Sequence, residues 1–233
     1  MSNDLKILCI IPARAGSKGV PKKNIKLINN KPLISYSLEV AQESKLINKI
    51  IVTSDSKDIV DLVNKDIVYA PFIRPSEFSQ DNSTDKDYIK HTLKYLKDKE
   101  GYVPNYIVLL RPTTPLRNYT LVDEAINKFI DATSASSLRS AHLVPESPFK
   151  WFKIKNDCFE PICNEFSLED TNKPRQYFDD VYLPNGYVDV LNSTFSDADL
   201  YGTDILSYIT PLSYEIDSIE DFDYIEYLMK KAT

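Results

Sequence analysis

Short apolar blocks that stop at turns dominate the first half of the chain. Residues 5–12, LKILCIIP, run straight into a glycine-bearing loop, as a strand buried on both faces does. NKIIVTSD (48–55), DIVYAP (66–71) and YIVLLRPT (106–113) repeat that pattern. Between them the apolar spacing becomes helical. PLISYSLEVAQE (32–43) has a proline suited to the first turn, and helices are also predicted over about 56–64, 85–100 and 119–130. Strand-like SASSLRSA follows at 134–141. Strands alternating with helices predict βαβ units, hence a three-layer, doubly wound α/β domain with a mainly parallel sheet.

The rhythm breaks at about 143–180, where the chain is aromatic, proline-bearing and without helical period. This stretch is expected to leave the sheet as a projecting β-rich flap or dimer arm, an insertion of about 143–182 within one domain spanning 1–233. Strands are expected again at GYVDVLN (186–192) and SYEID (213–217). A last amphipathic helix carries Ile219, Phe222, Ile225, Leu228 and Met229 along one stripe. Neither internal repeats nor low-complexity segments are present.

Composition narrows the class. Forty-two per cent apolar residues can build a core, and no apolar run approaches the ~18 residues that span a bilayer. MSNDLKILCIIPA does not read as a signal peptide, and three cysteines without zinc spacing fit reduced thiols, so a cytoplasmic setting is expected. A net charge of −6 argues against a nucleic-acid partner.

Against that acidic background, IIPARAGSKGVPKKN (10–24) gathers Arg14, Lys18, Lys22 and Lys23 directly after the first strand, with Gly16 and Gly19. A glycine loop at a strand end lets backbone N–H groups approach a phosphate while Arg and Lys supply charge. Neither G-x-x-x-x-G-K-[ST] nor G-x-G-x-x-G is present, and a solvated basic turn is the competing reading. RPTTPLR (111–117) leaves a strand at its expected carboxyl end, where ligands bind in open α/β sheets. It offers hydroxyls and two guanidiniums, or else is a rigid loop with Arg117 in solvent. Glu215 and Asp217, two apart on a predicted strand, share a face and could hold a hard divalent cation. Asp217 followed by Glu220 also fits a helix-capping box. FKWFK (149–153) and KPRQ (173–176) set cations beside aromatic residues, suited to an acidic ligand or to a dimer interface. Cys158 and Cys163 receive no role.

In order along nearly the whole chain, PARAGSKGVPKKN, FIRPSEFSQD (72–81), LLRPTTPLR, PRQ, PNG (184–186) and EIDSIEDF resemble the CMP-sialic acid synthetases (acylneuraminate cytidylyltransferases) and their legionaminic and pseudaminic relatives. The resemblance implies a nucleotide-diphospho-sugar transferase-like Rossmann fold whose flap completes a homodimer. It implies transfer of CMP from CTP to a nine-carbon 2-keto sugar acid, with release of pyrophosphate. Arg14, Ser17, Lys23 and Asn24 would hold the nucleotide, Lys23 nearest the reacting phosphate, with Arg74, Asp81 and Ser83 beside its pocket. Thr113, Lys150 and Arg175 would face the sugar acid, and Asp217 with Glu215 would hold Mg²⁺ or Mn²⁺. Arg14, Lys23 and Asp217 would be the catalytic set.

The chain departs from the family pattern at four places. Arg111 and Thr114 replace Gln and Ser of QPTSPLR, Asp189 stands where an aromatic residue is common, and Glu215 where Asp is common. The glutamine position faces the sugar in that family, so Arg111 bears on which sugar is taken. The opening loop also differs from the PARxxSxRLPGK pattern of the Kdo relatives. Three other readings stay open at this point: a nucleotidyltransferase using another nucleotide or a sugar phosphate, a glycosyltransferase of similar layout, and a non-catalytic nucleotide-sugar-binding module.

Overall fold

A computed structural model of the chain describes residues 5–63, 68–196 and 199–231. Its first half follows the alternation read from the sequence. β1 (Ile7–Pro12) is followed by a small hairpin of β2 (Leu27–Ile28) and β3 (Lys31–Pro32), then α1 (Leu33–Glu43), β4 (Lys49–Thr53) and α2 (Lys57–Val63). Next come β5 (Val68–Tyr69), α3 (Asp85–Glu100), β6 (Tyr106–Leu109), α4 (Tyr119–Asp131) and β7 (Ser137–Leu143). After the excursion, which carries β8 (Phe152–Lys155) and β9 (Cys158–Pro161), the chain returns through β10 (Tyr182–Asn192), β11 (Ile205–Ile209) and α5 (Ile219–Lys231). Residues 66–67 of the DIVYAP strand and residue 64 of the helix before it lie outside the described residues.

Seven strands form one sheet in the order β11-β7-β10-β6-β1-β4-β5. Every pairing is parallel except those of β10, which runs against β6 and β7. Successive β1 residues point to opposite faces. Cys9 and Ile11 pack with Ile34 of α1 and Val122, Ile126 and Phe129 of α4. Leu8 and Ile10 pack with Tyr88, Ile89 and Leu96 of α3. Both faces are therefore covered, giving the three-layer α/β architecture with a mostly parallel sheet. A third apolar cluster joins Val20 of the opening loop to Ile216 and to Phe222, Ile225 and Met229 of α5. Burying a side chain of this size stabilises by about 1.5–3 kcal/mol, so α5 is fastened to the loop that follows β1.

Two sequence expectations are corrected. SYEID is not a strand: Ile216 N–H donates to the Thr113 carbonyl and the Ile216 carbonyl accepts from Lys23, so its backbone is satisfied by loops. The strand beside β7 is instead β11, paired in parallel from Ile205 to Ile209. Nor does Asp217 cap α5. Ser218 Oγ accepts from Asp221 N–H, while Asp221 Oδ2 accepts from the N–H groups of Asp217 and Ser218. The capping box is thus Ser218 with Asp221, and the Asp217 side chain is left over.

Within the excursion β8 and β9 pair as a hairpin whose turn residues, Asn156 and Asp157, have φ of 50° and 59°, the left-handed values that Asn and Asp tolerate. Ile154 and Phe159 on it are 73% and 60% exposed.

Candidate functional site

Parallel strands deliver their carboxyl ends to one edge of the sheet, and the chain's largest motifs leave from there. A cleft of about 330 Å³ opens between the loops that follow β1 and β6 and the segment 74–88. Arg14, Ser17, Lys23, Asn24, Arg74, Asp81 and Ser83 all line it. These are the seven residues expected to contact a nucleotide. Arg111 and Thr113 line it too.

The loop after β1 is held open by its own polar contacts. Ala15 N–H donates to Asp55 Oδ1 at 2.7 Å, and buried Asn24 donates from Nδ2 to the Arg14 carbonyl at 2.9 Å. Gly19 is required by close approach: a Cβ there would lie 1.8 Å from the Asp217 carbonyl oxygen. That contact draws the acidic segment 215–217 against the basic loop. Lys23 Nζ then donates to the Ile216 carbonyl at 2.6 Å and sits 3.5 Å from Asp217 Oδ1.

Each cation of the loop faces a carboxylate. Arg14 and Lys18 lie 3.3 and 2.5 Å from Asp81, and Lys22 lies 3.8 Å from Asp58. The Lys18 ammonium, with Arg14 adding to it, holds the Asp81 carboxyl below its usual range. Such exposed pairs are worth little, about 0–1 kcal/mol each, so an incoming anion can exchange them at small cost. Arg74 differs. It is buried over the Tyr88 ring, 5.4 Å from its centroid, and its Nε and Nη2 have no hydrogen-bond partner. Burial lowers its pKa, with Asp55 opposing. Its Nη2 stands 3.9 Å from Asp55 Oδ1, an ion pair longer than a hydrogen bond, so a residue that lines the cleft keeps donors free for the acceptor atoms of a ligand.

Glu215 is half-buried and Asp217 exposed. Burial, and then the Asp217 carboxylate, raises the Glu215 pKa, with Arg111, Arg117 and Lys23 pulling it back. Gly186, at φ +57°, makes room for it: a Cβ there would stand 2.5 Å from Glu215 Oε1. Neither carboxylate lines the cleft, but Asp217 stands 3.5 Å from Lys23, which does. Two carboxylates are a donor set that suits Mg²⁺, which takes one or two carboxylates and fills its shell with substrate oxygens and water. Among the described residues no group of three or more His, Cys, Asp or Glu stands together as a metal cage.

Lys150 and Arg175 are not brought to the cleft. Lys150 Nζ donates to the Lys173 carbonyl at 2.9 Å, and Arg175 is exposed on the excursion. Arg117, which could have been a solvated charge, is half-buried and fully engaged: it donates to the carbonyls of Tyr187 at 2.6 Å and Gly186 at 2.9 Å, to that of Arg111, and to Ser37 Oγ. It fastens the PNG turn to the RPTTPLR loop. Burial pushes its pKa down to about 9, with the Arg111 charge adding to that and Tyr187, Cys9 and Glu215 opposing it. Sequence reasoning missed Asp85, Tyr88 and Tyr201, which surround Arg111. Only the presence of an arginine at an apolar strand end hinted at them, since a buried guanidinium needs acidic company.

A family model described as cytidylyltransferase matches residues 8–161. The pseudaminic acid cytidylyltransferase of Campylobacter jejuni is 35% identical over 130 residues, 56% of each chain, so the match spans little more than half of that relative. The CMP-N,N'-diacetyllegionaminic acid synthase of Legionella pneumophila is 35% identical over 175 residues, 69% of this chain and 72% of that one. Among solved structures, a CMP:2-keto-3-deoxy-manno-octonic acid synthetase complexed with CTP superimposes with a TM-score of 0.68 at 14% identity, covering 98% of this chain and 100% of the other. No helix among the described residues is long and apolar enough to cross a membrane.

Proposed function

The chain belongs to the cytidylyltransferase family, and from that premise we propose that it couples CTP to a nine-carbon 2-keto sugar acid, giving a CMP-sugar and pyrophosphate. The observation that carries the reading is that all seven expected nucleotide contacts line one cleft at the carboxyl edge of the sheet.

In the proposed reaction the anomeric hydroxyl attacks the α-phosphorus in line. A new P–O bond forms, the bond to the β-phosphate oxygen breaks, and the hydroxyl proton passes to solvent. Positioning and charge neutralisation supply the rate. Arg14 and Lys23 exchange their carboxylate partners for phosphate oxygens, and Lys23, tethered to the Ile216 carbonyl, meets the reacting phosphate at a fixed place. Arg74, whose Nε and Nη2 make no hydrogen bond, offers them to acceptors of the nucleotide. Glu215 and Asp217 would hold Mg²⁺ or Mn²⁺, which when bound withdraws charge from phosphate oxygens.

The sugar carboxylate is assigned to Lys150 and Arg175. Because neither lines the cleft, that role requires the excursion to reach a cleft when the sugar binds, in its own chain or in a second copy. A homodimer built on the excursion is supported by its exposed Trp151, Ile154, Phe159 and Ile162. Sedimentation of the purified protein tests it, a monomer at micromolar concentration being the contrary result. A sugar-phosphate substrate loses its motivation, since Arg111 is already paired with two carboxylates. Replacing Lys23 tests the reaction itself: Lys23→Ala removes one charge on the phosphate, worth about 3 kcal/mol or roughly a hundredfold in turnover. Near-native pyrophosphate release by that variant would refute the assignment.

A further inference from the structure

Two departures from the family pattern that stand 78 residues apart in sequence meet in space. Arg111 Nη1 donates to Asp189 Oδ2 at 2.7 Å, and Nη2 donates to Asp85 Oδ2 at 2.6 Å. Nη2 also donates at 3.4 Å to the Tyr201 hydroxyl, which in turn donates to Asp189 at 3.2 Å. Arg139 stacks over the Tyr201 ring, 4.3 Å from its centroid, with Nε 3.6 Å from Asp189 Oδ1. Two arginines and two aspartates thus balance in charge, Arg111 and Asp85 lining the cleft and Asp189 and Arg139 standing behind them.

Folding alone does not call for such a group. A buried ionic cluster is often no more stable than apolar residues of the same volume. The start of α3 is already capped by Thr84 and Asp87, so Asp85 is not needed there. Asp85 and Arg111 both line the cleft, as does Tyr88, whose hydroxyl donates to Asp85 Oδ1 at 2.8 Å.

A guanidinium cancelled by two carboxylates has little pull on another anion, yet still directs its N–H groups. Beside it Asp85 offers carboxylate lone pairs. A hydroxyl fits that pairing, because it donates to the carboxylate and accepts from the guanidinium at once. We infer that Arg111 and Asp85, braced by Asp189, are a specificity-determining pair that recognises a hydroxyl of the acidic sugar and rejects a phosphate at that position. The inference depends on the reading of CTP and a sugar acid as substrates.

The test compares the KM for CTP with the KM for N-acetylneuraminic, legionaminic and pseudaminic acids, by pyrophosphate release, in wild type, Asp85→Asn and the double variant Arg111→Gln with Asp189→Asn. The double variant removes one charge of each sign, so the cluster stays neutral. Losing a hydrogen bond to a charged group corresponds to roughly a tenfold or greater loss of affinity. The KM for the preferred acid rises by that factor in both variants while the KM for CTP stays within about twofold, and the order of preference among the acids changes. Unchanged sugar KM values and order, or sugar and CTP values rising together, overturn the inference. So does wild-type turnover of a sugar phosphate in place of the acid. Should the double variant fail to fold, Asp85→Asn, which keeps an oxygen for Arg111, carries the same comparison. A wild type that releases no pyrophosphate from CTP with any acid overturns the proposed reaction and this inference with it; failure of the inference alone leaves an active wild type.

Discussion

The two glycines of the opening loop separate close packing from mere loop composition. Gly16 has nothing within 4 Å of where a Cβ would be built, whereas at Gly19 that atom falls 1.8 Å from the Asp217 carbonyl oxygen and 3.0 Å from its carbon. Gly19→Ala must therefore push the loop and the 215–217 segment apart by more than an ångström, against the Val20–Ile216 contact that holds them. Overpacking of this kind costs about 1–3 kcal/mol. For a chain of this length about 2 kcal/mol corresponds to a fall in Tm of roughly 4–8 °C. Differential scanning calorimetry of both alanine variants without ligand measures it: Gly16→Ala stays within about 1 °C of wild type and Gly19→Ala falls by that amount. The displacement also moves Lys23 relative to Asp217, so pyrophosphate release drops in Gly19→Ala at temperatures where it remains folded. Equal Tm values for the two variants would sink the argument that the basic loop is seated on the acidic segment.

Other predictions follow from neighbouring contacts. Asp221→Ala removes the acceptor of two N–H groups at the start of α5, a loss of about 1 kcal/mol by denaturant unfolding, while Asp217→Asn leaves stability unchanged because Asp217 does not cap. Burial raises the Glu215 pKa above the ordinary 4.5, with Asp217 adding to it. The folded chain then binds that proton more tightly than the unfolded one, so metal-free stability declines as pH rises from about 4.5 through the raised value. Glu215→Gln flattens that decline in a Tm-against-pH series, and a slope identical to wild type contradicts it. In the proposed metal role the deprotonated Glu215 would be the binding form, so the Tm gain from Mg²⁺ is expected to grow over the same window. Arg117→Met leaves the Tyr187 and Gly186 carbonyls without their donor, and should lower stability by about 2–3 kcal/mol.

Much of the fold could be read because the apolar blocks are strands buried on both faces and the helices carry clear stripes. α3 begins at Asp85 and ends at Glu100, where the spacing put it, with Gly101 closing it at φ +61°. The same reasoning failed at the last strand. SYEID alternates like a strand, but its polar backbone is taken by Thr113 and Lys23, contacts made across the whole fold. β11 is an edge strand with Ile205 and Ile209 exposed, so its residues carry no strong alternation. The basic loop was legible because its chemistry is local in sequence. The company of Arg111 was not, since Asp85 lies 26 residues before it and Asp189 lies 78 after it. Arg117 illustrates the same limit: nothing in RPTTPLR distinguishes an arginine in solvent from one that joins two turns.

The central claim is tested most directly by pyrophosphate release from CTP and Mg²⁺ across N-acetylneuraminic, legionaminic and pseudaminic acids and Kdo. The account predicts turnover with a nine-carbon acid, dependent on CTP over other nucleotides and reduced roughly a hundredfold by Lys23→Ala. A folded protein that releases no pyrophosphate with any of the four acids, or that turns over equally well with other nucleoside triphosphates, would contradict it.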